Sequence, residues 1–262
     1  MTPRTIHYVW MGGAPKPPIV CHCIESWHRF CPGWEFKEWN DASMHDVGNR
    51  YACEAYAYGK WAFVADWMRL NVIYRYGGIY LDTDMELLKP IDTFLENNLT
   101  LGLACVNGKT IFNAGFMGCR KGDKFIGGFL NEYDDIPFVL PNGELDQTPN
   151  TERLLNYFSR VWNIRPTSAN DTIDMGERRM IYPADFFLSR SGYSVHHYCA
   201  SWLDDWVRKV WLSVGSCKLV RFKRRLQAMS PMPTLRQGER ALFSFPLGNR
   251  KRIILVKRDG KV

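Results

Sequence analysis

Two carboxylates one residue apart, Asp82 and Asp84, stand in the run Ile79-Tyr80-Leu81-Asp82-Thr83-Asp84-Met85-Glu86-Leu87, whose odd positions are all apolar or β-branched. Unpaired charge in so apolar a segment is costly, and a bound divalent cation would offset the cost. Hard cations such as Mg²⁺ or Mn²⁺ select carboxylate oxygen and keep positions open for substrate phosphates, so a nucleoside diphosphate suits the remaining ligand positions. Asp is also a favoured turn residue, and Asp-x-Asp alone reads as a solvated turn. The segment before it adds the chemical context.

Residues 60–76 have the pattern of a long helix, apolar around much of its circumference, that stops at Gly77-Gly78, where a left-handed cap is easy. Asp66 and Arg69 lie three apart on it and share a face. Taken alone they are an ordinary helix ion pair; ahead of the Asp-x-Asp run they can join one site. Residues 79–87 alternate strictly, which predicts one strand with Tyr80, Asp82, Asp84 and Glu86 on the same side. Residues 6–10 read as a strand ending in a Met11-Gly12-Gly13 loop, residues 21–30 as a helix, and residues 34–39 as a second strand. Further elements are expected at 100–105, 111–118 and 151–162, with a loop-rich stretch at 136–149. Alternation of helices and strands predicts an α/β fold.

The net charge of +7 is unevenly spread: residues 208–262 hold 15 Lys or Arg against 2 acids, while residues 1–207 are net acidic. This composition shift predicts a core over 1–207 and a basic extension, a helix plus a hairpin, over 208–262. Eight cysteines show no paired C-x-x-C spacing, and Cys21-His22-Cys23 lacks a second ligand pair for structural zinc. No basic region followed by a long apolar stretch opens the chain, and no apolar run approaches a bilayer span. The expectation is a cytoplasmic protein. The tail segments 206–212 and 217–226 mix apolar and basic residues, and such a tail either contacts the inner face of an anionic membrane or forms a solvated basic helix.

The runs Trp61-Ala62-Phe63-Val64-Ala65-Asp66-Trp67-Met68-Arg69-Leu70 and Tyr76-Gly77-Gly78-Ile79-Tyr80-Leu81-Asp82-Thr83-Asp84 resemble the sugar-binding DXD signature of family 32 glycosyltransferases. This group includes bacterial capsular and lipopolysaccharide sugar transferases and fungal α-mannosyltransferases, and is related to the glucosyltransferase domains of large clostridial cytotoxins. Residues 6–13 and 196–202 extend the resemblance. It implies a GT-A fold, Rossmann-like with a mixed central sheet flanked by helices, and a retaining, metal-dependent hexosyltransferase using Mn²⁺ or Mg²⁺. The donor would be a nucleotide sugar, UDP-hexose in preference to GDP-hexose, and the acceptor a glycan or lipid-linked saccharide in cell-surface polysaccharide synthesis. By the same resemblance Trp10 stacks on the base while the Val9 backbone meets its edge. Asp66 and Arg69 hold sugar and diphosphate, Asp82 contacts ribose and sugar, and Asp84 ligates the metal, with Asp82 beside it. Asn113 touches the sugar, His197 and Ser201 approach the metal or diphosphate, and Trp202 covers the leaving group. Asn-Ala-Gly at 113–115 also reads as a plain turn. His196 is expected to pack or hydrogen-bond without a chemical role.

Two rival readings accompany this one. A nucleic-acid-binding protein would grip phosphates with its basic tail, but that leaves Asp-x-Asp unexplained, and no nucleic-acid partner is expected. A non-catalytic relative would bind a sugar nucleotide in the same pocket without turning it over.

Overall fold

The computed structural model describes residues 1–199 and, as backbone, residues 239–247 and 251–258. Two compact units are present, Met1–Trp202 and Leu203–Val262. In the first, the elements in order are β1 (Thr5–Val9), α1 (Pro18–Phe30), β2 (Glu35–Trp39), α2 (Arg50–Ala57), α3 (Trp61–Tyr76), β3 (Gly78–Leu81), β4 (Met85–Leu87), β5 (Leu99–Val106), β6 (Lys109–Cys119), α4 (Lys124–Asn131), α5 (Asn150–Val161), β7 (Ile173–Asp174), β8 (Arg179–Tyr182), α6 (Ala184–Leu188) and β9 (Ser194–His196). In the second, β10 (Glu239–Leu247) and β11 (Lys251–Arg258) pair antiparallel. The tail segments 206–212 and 217–226 lie outside the described residues. Among the described residues no helix is long and apolar enough to cross a membrane.

A seven-stranded sheet runs in the order β2-β1-β3-β6-β5-β8-β7. It is mixed: β1 pairs in parallel with β2 and β3, β5 with β8, and β6 runs antiparallel to both β3 and β5. The fold is therefore α/β with a mixed central sheet between helical layers, as expected from the sequence. Alternation along β3 sends Ile79 and Leu81 into one apolar layer with Trp27 of α1 and Phe187 of α6. Tyr80 goes into the opposite layer with Met68 and Leu70 of α3 and Phe158 of α5. Full burial of side chains of this size contributes roughly 1.5–3 kcal/mol each, which makes these two layers the main support of the site.

The junction from α3 to β3 fixes where the chemistry sits. Gly77 (φ 71°) ends the helix, its N–H bonded to Ile73 O. A Cβ there would lie 2.8 Å from Lys121 N, and one at Gly78 (φ 109°) would lie 2.7 Å from Thr5 O. Both glycines are required, for backbone conformation and for the closeness of helix end and sheet. His7 secures the junction from β1: its Nε2–H donates to Gly77 O at 2.8 Å, and its Nδ1 accepts from Trp39 Nε1–H at 3.1 Å. That arrangement needs the neutral ring.

Burial drives the His7 pKa down from 6.5 to about 4, with a smaller push from Lys37 and opposition from Gly77 O. On acidification the unfolded chain thus takes up this proton first. The stability from neutral His7 is fully present above pH 6.5 and is lost as pH falls toward 4, a total of about 3 kcal/mol. Denaturant melts across this window should show that slope in the parent and its loss in His7→Gln.

Strand β1 has β2 on one side and β3 on the other, so the chain reverses direction across the sheet between them. In open α/β sheets ligands bind at the carboxyl ends of the strands around such a point. Three segments emerge there: 10–16 after β1, 40–46 after β2, and 82–84 after β3.

Candidate active site

The Asp-x-Asp run is not one continuous strand. Thr83 and Asp84 form a turn closed by Met85 N–H on Asp82 O at 2.9 Å, and β4 leaves the main sheet to pair with β9. The physical reason is the turn propensity of Asp, reinforced by capture of the Asp82 N–H by Gly115 O at 2.9 Å. The predicted common side for Asp82, Asp84 and Glu86 is corrected accordingly: Asp82 and Asp84 converge, while Glu86 binds His22 and His197.

Arg69 is the hub that brings α3 to this turn. Its side chain is 7% exposed; Nη2 meets Asp66 Oδ1 at 2.9 Å, and Nη1 lies 3.2 Å from Asp82 Oδ1 and 2.6 Å from Ala114 O. Nε donates to Ala65 O, and the guanidinium stands 4.9 Å from the centre of the Tyr80 ring, whose hydroxyl donates to Asp82 Oδ1 at 2.8 Å. Burial opposes the Arg69 charge, but Asp82, Tyr80 and Asp66 outweigh it and hold the guanidinium above its ordinary value. Most of its five N–H groups are spent inside the protein. Its contribution to a bound anion is therefore its charge more than a free two-pronged fork.

Asp66 is fixed from two sides. Besides Arg69, the Asn150 N–H at the start of α5 bonds Asp66 Oδ2 at 3.3 Å, and Asn150 Nδ2 donates to Asp66 O and to the Tyr133 hydroxyl at 3.0 Å each. A helix N-terminus favours the negative charge placed there. Burial nonetheless pushes the Asp66 carboxyl up to about 6, against the pull of Arg69.

Asp84 meets His196, not His197. His196 Nε2 lies 2.9 Å from Asp84 Oδ1, and Cys199 N–H donates to Oδ2 at 2.8 Å. His197, expected near the metal position, places its Nε2 2.8 Å from Glu86 Oε2. The β4–β9 register sets Met85 opposite His196. Glu86 and His197 keep strand alternation, whereas the turn at 82–84 carries Asp84 out of it. Burial raises the Asp84 carboxyl, but His196 and the Cys199 amide outweigh it and the net direction is down; the same pair holds His196 above its ordinary value against burial.

One donor atom each from Asp82, Asp84 and His196 lies within 4.8 Å of the others. The two carboxylates fit Mn²⁺ or Mg²⁺, both of which select carboxylate oxygen, and the imidazole beside them favours the transition metal Mn²⁺ over Mg²⁺. Asn113 is in β6, not in a turn; its Oδ1 accepts from Gly115 N–H, and its buried Nδ2 has no partner. A Cβ on Gly115 would sit 3.0 Å from Asp82 Oδ2 and 3.3 Å from Asn113 Oδ1, so the missing side chain is what lets those two groups come together. An unpaired buried donor beside a carboxylate suits a hydroxyl-bearing ligand.

On the strand next to β3, Val9 ends β1 and Trp10 follows, its N–H on Trp39 O and its indole N–H on Ala14 O at 2.7 Å. Ser201 and Trp202 lie outside the described residues. The sequence reading missed Tyr80, Tyr133 and Asn150, and it expected of His196 a hydrogen bond but no chemical role. Tyr80 could have been found from its place in the alternating run beside Asp82; Asn150, 84 residues from Asp66 in sequence, carried no local signal.

Residues 17–101 match the family described as glycosyltransferase sugar-binding region containing DXD motif. Inositol phosphoceramide mannosyltransferase 1 of Schizosaccharomyces pombe is 31% identical over 103 residues, covering 36% of this chain and 31% of that protein. Inositol phosphoceramide mannosyltransferase 3 of the same yeast is 27% identical over 136 residues, covering 47% of this chain and 35% of that protein. The matched region thus spans about a third of either relative. Among solved structures, PaToxG glycosyltransferase aligns with TM-score 0.46 and 17% identity, covering 61% of this chain and 69% of that one. Asp66, Arg69 and the Asp82–Asp84 turn all lie inside residues 17–101, so this segment carries the sugar-binding region containing a DXD motif that the family description names.

Proposed function

We propose that the chain is a metal-dependent hexosyltransferase that takes its sugar from a nucleotide donor, UDP-hexose in preference to GDP-hexose, and passes it with retention to a glycan or lipid-linked acceptor of the cell surface. The observation that carries this reading is the convergence of Asp82, Asp84 and His196 within reach of one cation, next to the buried Arg69. Asp84, Asp82 and His196 would hold Mn²⁺ or Mg²⁺, which supplies positive charge where the departing diphosphate gains negative charge. Arg69 adds fixed charge and keeps Asp66 and Asp82 in place. Asp66 and the unpaired Asn113 Nδ2 address hydroxyls of the sugar, and Trp10 offers its ring to the base. We place the enzyme in the cytoplasm at the inner face of the membrane, with the basic tail as the contact.

The test is release of free nucleotide from a panel of UDP- and GDP-hexoses with Mn²⁺, with Mg²⁺ and with chelator. Metal-dependent release from one donor is expected, with the donor's anomeric configuration kept in the product. Absence of both binding and release across the panel would sink the reading.

A further inference from the structure

The Gly12-Gly13 loop is held by an internal carboxylate. Gly12 N–H lies 3.0 Å from both oxygens of Asp41, Gly13 N–H lies 3.1 Å from Oδ2, and the Tyr56 hydroxyl donates to Oδ1 at 2.8 Å. Asp41 belongs to the segment after β2 and Tyr56 to α2, so three separate parts of the chain meet on one side chain. Trp61 closes the arrangement: a Cβ on Gly12 would lie 2.7 Å from its indole nitrogen, and its ring stands 5.3 Å from that of Tyr56. The Gly12 amide first, then the Tyr56 hydroxyl, holds the Asp41 carboxyl below its ordinary value.

A glycine loop after the first strand of such a sheet commonly offers its amides to a phosphate. Here those amides are spent on Asp41, and a second anion beside that carboxylate would be repelled. Beside the occupied amides stands the half-buried Trp10 ring, its own N–H tied back to Ala14 O and Lys16 Nζ 5.8 Å from the ring centre. An uncharged aromatic face takes a planar base. Arg69, which carries positive charge, and the candidate cation ligands Asp82, Asp84 and His196 lie around the end of β3.

We propose that Asp41 and Tyr56 are positioning residues that clamp the loop 10–13 as the nucleobase wall of the donor site, leaving the diphosphate to the groups around the end of β3. This rests on the nucleotide-sugar reading above. A fault in the clamp therefore weakens the base end of the ligand and is indifferent to its second phosphate and to metal.

The experiment is calorimetric titration of the full chain with UMP, UDP, GMP and GDP, each with and without Mn²⁺, for the parent, Asp41→Asn and Tyr56→Phe. Asp41→Asn turns an acceptor into an N–H facing N–H groups. It should weaken mono- and diphosphate of the preferred base by the same factor, about tenfold for a lost charge-assisted hydrogen bond, whether or not Mn²⁺ is present. Tyr56→Phe, which keeps its ring on Trp61, should shift both ligands by a smaller common factor with an unchanged melting temperature, and it carries the test if Asp41→Asn does not fold. Unchanged affinities in these variants, or a loss confined to the diphosphate or to Mn²⁺, would overturn the clamp while leaving the donor reading intact. A parent that binds none of the four nucleotides overturns the donor reading itself.

Discussion

Asp84→Asn should reduce turnover of a sugar nucleotide by about three orders of magnitude, roughly 4 kcal/mol of transition-state stabilisation, while the protein stays folded. The side chain keeps its shape and one acceptor oxygen, so the Cys199 N–H retains a partner. Losing the Asp84 charge removes the main support of the His196 proton against burial and leaves Asp82 as the remaining one, so the His196 pKa should move down. What disappears is the negative charge that makes Asp82, Asp84 and His196 a cation site. The apparent Mn²⁺ affinity should fall together with kcat, and excess Mn²⁺ should restore only part of it. The different partners of the two histidines give an internal control: His196→Ala should lose metal affinity alongside Asp84→Asn, whereas His197→Ala, which faces Glu86, should lose much less. Measured release of nucleotide against Mn²⁺ concentration separates the two. Equal losses in both histidine variants would put the metal between them and count against the geometry.

The path from sequence to this site was legible where periodicity was long and its end was marked. The 16 residues of α3 carry enough turns to declare a buried helix, and Gly77-Gly78 can only be its stop. Alternation then predicted β3 through Leu81 correctly, and failed at Asp82 because the same residue satisfies a strand period and a turn preference. Only the capture of its N–H by Gly115 O decides between them, and that partner comes from β6. The choice of His196 over His197 follows from that one decision, since a turn instead of two strand residues changes which neighbour Asp84 can reach. Asn113 was ambiguous for a similar reason: Asn-Ala-Gly has turn composition, yet the sequence builds strand there because Gly115 lets Asp82 approach. Helix α2, with 8 residues, is too short for its period to stand out, so Tyr56 and its bond to Asp41 were invisible without the fold.

Arg69→Met should be the most destabilising single change in the site, at about 3–5 kcal/mol, because it breaks a buried ion pair by removing one partner. Methionine fills much of the volume, so packing is not the main loss. Asp66 and Asp82, at 13% and 24% side-chain exposure, are left without the cation that faces them both, and Ala114 O loses its donor. The pH dependence gives the diagnosis. Burial has already raised Asp66 from 3.8 to about 6 in the presence of Arg69. An acid raised in the folded state is best tolerated below its unfolded pKa and costs stability as pH rises through the folded value. Without Arg69 that folded value moves higher still, so the deficit against the parent should be greatest near neutral pH and should shrink on acidification, as Asp66 takes up a proton. Adding Asp66→Asn should recover part of the stability at neutral pH without restoring turnover, since the neutral amide relieves the stranded charge but supplies none of the positive charge that Arg69 held against Asp82. Chemical denaturation of the two variants at several pH values, read beside nucleotide release, checks both halves; a deficit independent of pH would mean that Arg69 acts through packing and not through its charge.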